Sequence, residues 1–172
     1  MLLAIAYPDL SDEAFTSIQK YRKANDRMYG VIDPHFTLVF ALDGISKAEF
    51  SEEVMNKLYR IRPISFTLHN SVIKKDSFSD LYYAFLVPEE GYSALVKLHD
   101  VLYSELLSEY LRLDLDYIPH ITIGNSTDQL LCEKMINKWN ASSLPIRGVV
   151  SKIDIVEYEN DRVSTIEIIQ LQ

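Results

Sequence analysis

The sequence predicts an α+β protein. It is a duplicated strand–helix–strand–helix–strand unit folded as two lobes, with antiparallel sheets facing a central groove and helices on the outer faces. Three observations lead there. Short β-like runs alternate with amphipathic helical stretches along the chain. The pentad Pro34-His35-Phe36-Thr37-Leu38 recurs as Pro119-His120-Ile121-Thr122-Ile123, a shift of 85 residues. The strands alternate apolar and polar residues, so each sheet takes helices on one face only. A chain of 172 residues accommodates one bilobal domain over residues 1–172, with pseudo-repeats of about 1–78 and 79–172.

Residues 2–7 read as a strand that Pro8 ends. Ser11 caps the following helix, with Asp12 and Glu13 in the first turn, where the helix dipole favours them. Phe15 and Ile18 sit at helical spacing. Lys20, Arg22, Lys23 and Arg27 lie at its C-terminal end, where positive charge meets the dipole; they could also draw an anion to one rim of the groove. Pro34 precedes a strand over residues 35–41. Ser46 and Glu49 form a capping box before a helix striped by Phe50, Val54, Leu58 and Ile61, and Pro63 ends it. Residues 64–74 and 81–87 read as strands joined by the polar turn 75–80.

The pattern then restarts. A helix over residues 90–111 carries Leu95, Leu98, Leu102, Leu106 and Tyr110. Pro119 precedes a strand over 120–124. Thr127 and Asp128 open a helix with Leu131, Met135 and Trp139 on one side. Pro145 precedes a long strand over 146–158, and after a turn at Glu159, Asn160 and Asp161 the strand 163–171 closes the chain. The runs 4–8 and 84–88 hold the same place ahead of each histidine.

Composition narrows the function. The chain has 17 Lys and Arg against 25 Asp and Glu, a net charge of −8. That disfavours coating long nucleic acid through a wide basic surface, and leaves room for a small phosphorylated ligand in a cleft. Cys132 is the single cysteine, so no internal disulfide forms and no Cys/His cluster serves structural zinc. The first residues lack the basic start and long apolar stretch of a signal peptide, and no apolar run reaches the roughly 18 residues of a membrane span. A cytoplasmic protein without a membrane partner is expected, and no protein partner is indicated.

The repeated pentad carries the chemistry. Side chains on a strand alternate, so His35 and Thr37 share one face while Phe36 and Leu38 share the other. His120 and Thr122 stand the same way over Ile121 and Ile123. The apolar pairs can pack under helices, which leaves both His–Thr pairs facing the groove from opposite sides. Opening a phosphodiester or cyclic phosphate needs a base for the attacking oxygen and an acid for the leaving oxygen. Histidine, with an ordinary pKa near 6.5, can serve as either. Threonine hydroxyls can donate to the phosphate oxygens. His-x-Thr is not a ligand spacing, and neither motif holds Asp, Glu or Cys, so no metal and no cofactor is expected. The symmetry leaves open which histidine is acid and which is base.

Two such motifs in a duplicated chain of this length resemble the two-histidine (2H) phosphoesterase superfamily, which includes 2′-5′ RNA ligases and 2′,3′-cyclic nucleotide phosphodiesterases. The resemblance implies the bilobal fold and ATP-independent, metal-free chemistry. The implied substrate is a 2′,3′-cyclic phosphate or a 2′-5′ linked nucleotide or RNA end, with His35, Thr37, His120 and Thr122 as catalytic residues. Many RNA-ligase members carry a basic residue soon after the second motif. Gly124-Asn125 stands there in this chain, which weighs against a long RNA substrate and against ligation. The alternative is a non-catalytic module of the same fold that binds an RNA end or nucleotide in the groove.

Other residues are candidates of a weaker kind. His69 alternates with Phe66 and Leu68; if those apolar positions face the helices, Thr67, His69 and Ser71 face the groove, and His69 is then either a substrate contact or part of a solvated polar strand face. His99, beside Asp100, is expected on the surface, and Cys132 as a small buried apolar residue. One of Tyr82 and Tyr83 must face the groove, where it could stack a base.

Overall fold

Capping chemistry places the helix starts where the sequence puts them. Ser11 accepts a hydrogen bond from the Ala14 amide ahead of α1 (Asp12–Asn25). Ser46 and Glu49 complete a reciprocal capping box ahead of α2 (Lys47–Leu58). The remaining helices are α3 (Tyr92–Leu102) and α4 (Gln129–Ser142), and a 3-10 turn spans Glu105–Tyr110. At the start of α4 the Asp128 carboxylate accepts from the Leu130 and Leu131 amides. These bonds satisfy amides that have no partner within the helix. The structure, a computed structural model, describes residues 1–142 and 144–172.

The strands are β1 (Leu2–Ala6), β2 (Asp9–Leu10), β3 (Phe36–Leu42), β4 (Ile64–Lys75), β5 (Tyr82–Glu90), β6 (Ile121–Ser126), β7 (Ile146–Val150), β8 (Lys152–Glu159) and β9 (Arg162–Gln170). They form a four-stranded sheet in the order β3-β1-β8-β9 and a five-stranded sheet in the order β2-β7-β4-β5-β6. Every pairing is antiparallel.

Each sheet draws strands from both sides of residue 78. In the order β3-β1-β8, β8 comes from the second half; in β6-β5-β4, β4 comes from the first. The helices cross as well. α1 packs on β6 and α3 packs on β3, while α2 covers β1 and β9 and α4 covers β4, β5 and β6. The apolar members of each alternating strand, such as Ala4, Phe36 and Leu38 in one sheet and Ala84, Leu86, Ile121 and Ile123 in the other, go to the buried core. Of their alternation partners, Leu3, Tyr83, Phe85 and Thr122 line open space on the other face.

Four elements differ from the sequence reading: β2 has no counterpart in it, and α2 stops at Leu58, short of Ile61 and Pro63, with Arg60 at φ 73°. The helix expected over 90–111 spans only Tyr92–Leu102. β5 continues through Glu90, and Gly91 makes the turn at φ 83°. A Cβ at Gly91 would lie 2.5 Å from the Ser65 carbonyl oxygen, so only glycine fits there. Beyond Leu102 the chain turns at Tyr103, and Glu105 has φ 50°, which breaks the helical path before the 3-10 turn. The long strand expected over 146–158 is two strands in different sheets, with Ser151 between them. The Ser151 hydroxyl donates to the Asp9 carboxylate at that crossing.

Candidate functional site

Each histidine stands immediately before its strand, β3 or β6, and after a buried proline. Proline restricts the backbone there, and the strand then fixes the face. Nδ1 of His35 lies 2.8 Å from the Asp33 carbonyl oxygen, and Nδ1 of His120 lies 2.6 Å from that of Ile118. A carbonyl can only accept, so Nδ1–H is the donor in both rings and Nε2 is the basic nitrogen. The two halves thus build the same histidine geometry, a bond to the carbonyl two residues back.

Both residues keep some surface open to the groove, yet protein surrounds them closely enough to hold the rings neutral over most of the pH range. Burial lowers the pKa of His35 from 6.5 to about 4, opposed by the Asp33 backbone bond. Arg22 lowers it further, while Asp26 and Asp33 raise it. Burial likewise lowers His120 to about 4, and the charge of His35 contributes in the same direction. The imidazoles of the two halves therefore sit within electrostatic reach of each other. Phe85 stacks on the His120 ring, centroids 3.5 Å apart and planes at 15°. Tyr7 meets His35 edge-on at 6.2 Å.

The space around the rings has two chambers. One, about 370 Å³, is lined by His35, Thr122, Asn125, Tyr83, Arg27 and Met28, with Val156, Tyr158 and Val163 among its apolar walls. The other, about 280 Å³, is lined by His120, Thr122, Tyr83, Phe85, Lys74 and Lys75, among others. Tyr83 and Thr122 line both, so the chambers meet at the second motif. Thr37 is half-buried one alternation step from His35, registered against Ile5 of β1. Of the tyrosine pair, Tyr83 faces the groove, while Tyr82 packs against the core with Lys75 over its ring at 5.7 Å. Among the described residues, no group of three or more His, Cys, Asp or Glu is placed to hold a metal ion.

Several residues stand elsewhere than the sequence reading put them. His99 is buried, not on the surface: α3 lays it against β3, where Nδ1–H donates to the Leu38 carbonyl at 2.8 Å. It stacks on Tyr117, centroids 3.6 Å apart, and the Tyr117 hydroxyl donates to the Thr37 carbonyl at 3.0 Å. The Tyr117–His99 pair therefore buttresses the first motif from the segment that leads into the second. Neither Thr67 nor Ser71 lines a chamber, and the Thr67 hydroxyl donates to the Glu90 carboxylate at 2.6 Å. A register shift between Leu68 and Ser71 reverses the alternation, and Ser71 is buried against Asn140 of α4. His69 sits beside Glu89, Nδ1 to Oε1 3.7 Å, and lines neither chamber. In the basic run, Arg22 is buried, 2 % exposed, and paired with Asp26, while Arg27 lines the first chamber. Cys132 is fully buried, as expected.

Comparisons with known proteins point one way. A sequence profile of the 2′-5′ RNA ligase superfamily matches residues 8–162. A protein of Geobacillus sp. (strain WCH70), provisionally named a phosphoesterase, is 33% identical over 110 residues; the match covers 60% of this chain and 58% of that protein's length. Among solved structures, TT0787 of Thermus thermophilus superposes with a TM-score of 0.63 at 15% identity, covering 99% of this chain and 97% of the other. E. coli LigT without ligand superposes at 0.57 and 19% identity, covering 100% and 99%. LigT in complex with 3′-AMP superposes at 0.57 and 18%, covering 99% and 97%. At these identities the likeness to the solved structures is one of fold.

Proposed function

The chain belongs to the 2′-5′ RNA ligase superfamily, and on that premise we propose that it is a metal-independent phosphodiesterase acting on a 2′,3′-cyclic phosphate or a 2′-5′ linked nucleotide or RNA end. The observation that carries this reading is the matched pair of histidines. Each has Nδ1 bound to the carbonyl two residues back, and the chambers that the two rings line share Tyr83 and Thr122.

In the proposed reaction the phosphate lies between the two His–Thr pairs. One neutral imidazole takes a proton from water at Nε2 as the water oxygen bonds to phosphorus. The bond from phosphorus to one ribose oxygen breaks, and the other histidine, protonated, gives its Nε2 proton to that oxygen. The Thr37 and Thr122 hydroxyls donate to the non-bridging oxygens, where charge develops. An incoming phosphate supplies the proton affinity that the free rings lack: negative charge beside a buried imidazole raises its pKa. With a ribose 5′-hydroxyl in place of water as the nucleophile, the same groups would open the cyclic phosphate by breaking its bond to the 3′ oxygen, which takes the proton, and leave a 2′-5′ linkage. Tyr83, which lines both chambers, would stack a base beside the phosphate in this reading.

The test is incubation with 2′,3′-cyclic nucleotides in EDTA, with products separated by chromatography. Formation of a 2′- or 3′-monophosphate supports the reading. Tight binding without product would favour a nucleotide-binding module instead. Activity lost to EDTA and restored by a divalent cation would mean a different enzyme.

A further inference from the structure

A buried polar chain runs from helix α1 to both histidine motifs. Arg22 and Asp26 are 2 % and 7 % exposed. Arg22 Nε donates to Asp26 Oδ2 at 2.8 Å, and its terminal nitrogens donate to the Ile32 carbonyl at 2.8 Å and the Gln19 side chain at 3.0 Å. Gln19 in turn donates to Asp33 Oδ1 at 2.8 Å. Both Ile32 and Asp33 lie in the loop that delivers His35, and the Asp33 carbonyl is the acceptor for its ring. On the other side, Asp26 Oδ1 accepts from the Met28 amide at 3.0 Å and from Asn125 Nδ2 at 2.8 Å. Asn125 follows Thr122 on β6, the strand that His120 precedes. Gly124 makes this reach possible: a Cβ there would lie 3.1 Å from Asn25 Cβ and 2.9 Å from Met135 Sδ. Without one, α1 lies directly on β6.

We propose that Arg22, Asp26 and Asn125 form a positioning clamp that holds the loop before His35 and the strand after His120 in fixed register across the groove. Burying an ion pair is a poor route to stability alone, because desolvation offsets the attraction. Apart from the Gln19 side chain on α1 itself, the remaining donors and acceptors of the pair go to one loop and one opposing strand, those that carry the two motifs. The clamp rests on the phosphoesterase reading and adds to it the residues that align its acid and base. It also places a charge pair beside His35. The groups facing that ring are Tyr7 after β1, Asp33 in its own loop, Arg22 and Asp26 from α1, and His120 across the groove. Arg22 and Asp26 act on it in opposite directions, so removing one charge unbalances it.

The test uses the full chain and reads each imidazole by NMR titration, which needs no turnover. Arg22→Met leaves the Asp26 charge uncompensated and should raise the proton affinity of His35 three- to tenfold, about half to one pH unit. Arg22→Lys keeps the charge and should leave the titration near wild type. If Arg22→Met does not fold, Asn125→Asp carries the same test, since it sets a second carboxylate against Asp26 and should also raise His35. Asn125→Leu removes the strap alone and should lower kcat about tenfold with KM within about twofold, the signature of misplaced catalytic groups. Folded variants with an unmoved His35 titration and unchanged kcat would overturn the clamp and leave the phosphoesterase reading intact. A wild-type protein that turns over no phosphodiester would sink that reading, while the titrations still judge the clamp.

Discussion

His35 and His120 each commit Nδ1 to a backbone carbonyl, so one nitrogen per ring is left for chemistry. In the proposed mechanism, replacing either ring removes half of an acid–base pair. His35→Ala or His120→Ala should lower turnover of a 2′,3′-cyclic nucleotide by about 10²–10⁴-fold while circular dichroism shows a folded protein. Near-normal rates in either variant would contradict the assignment. Thr122→Val preserves shape and removes a donor from the residue common to both chambers. A hydrogen bond to a charged group contributes about 1.5–3 kcal/mol, so kcat/KM should fall about 10- to 150-fold. At this scale the paired motifs are legible because period-2 alternation and their repetition need no long-range information. His99 is not: its neighbour Asp100 suggests solvent, and only the packing of α3 on β3 buries it and supplies the Leu38 carbonyl. Arg22 is legible only in part: Asp26 stands four residues on, at helical spacing, but the turn that brings the Ile32 carbonyl to the guanidinium leaves no period in the sequence.

Helix starts are legible because their signals are local. Ser11 and Ser46 cap as their side chains allow. Breaks in strands are not visible in the same way. The register shift that turns Ser71 to the helix side keeps the residue types of a continuous strand, and so does the passage from β7 to β8 through Ser151. The early end of α3 is masked because leucines of the 3-10 turn continue the apolar stripe past Leu102. One element contact makes a sharp prediction. A methyl at position 124 would meet Met135 Sδ at 2.9 Å, which that flexible side chain can relieve, and Asn25 Cβ and carbonyl oxygen at 3.1 and 3.3 Å, so α1 must give by a small amount where it lies on β6. Gly124→Ala should destabilise the protein by about 1–3 kcal/mol, read as a lower midpoint in urea unfolding. An unchanged midpoint would show that the helices yield without cost.

Over the whole molecule, exchange of the third strand between halves joins the lobes and brings the motifs to one groove. The repeat in the sequence foretells two matched sheets. It does not foretell that β4 and β8 trade places, because strand partners are chosen by tertiary contact and not by local pattern. The neutral histidines also mark the molecule's response to acid. Their pKa values lie near 4 in the folded chain against 6.5 unfolded, so between these values the unfolded state binds more protons. Their contribution to stability is complete above about pH 6.5 and is lost as pH falls toward 4. The melting temperature should drop through that window, and a His35→Asn, His120→Asn double variant should drop less. An identical acid profile in the double variant would contradict the burial of these rings.

The central claim, that one phosphate engages both histidines, is tested most directly by following the two imidazoles by NMR as inorganic phosphate is added. Each ring should titrate near pH 4 without ligand. Saturating phosphate should raise both by about one unit or more, as a shared anion between two cations requires. A shift confined to one ring, or absent from both, would contradict it.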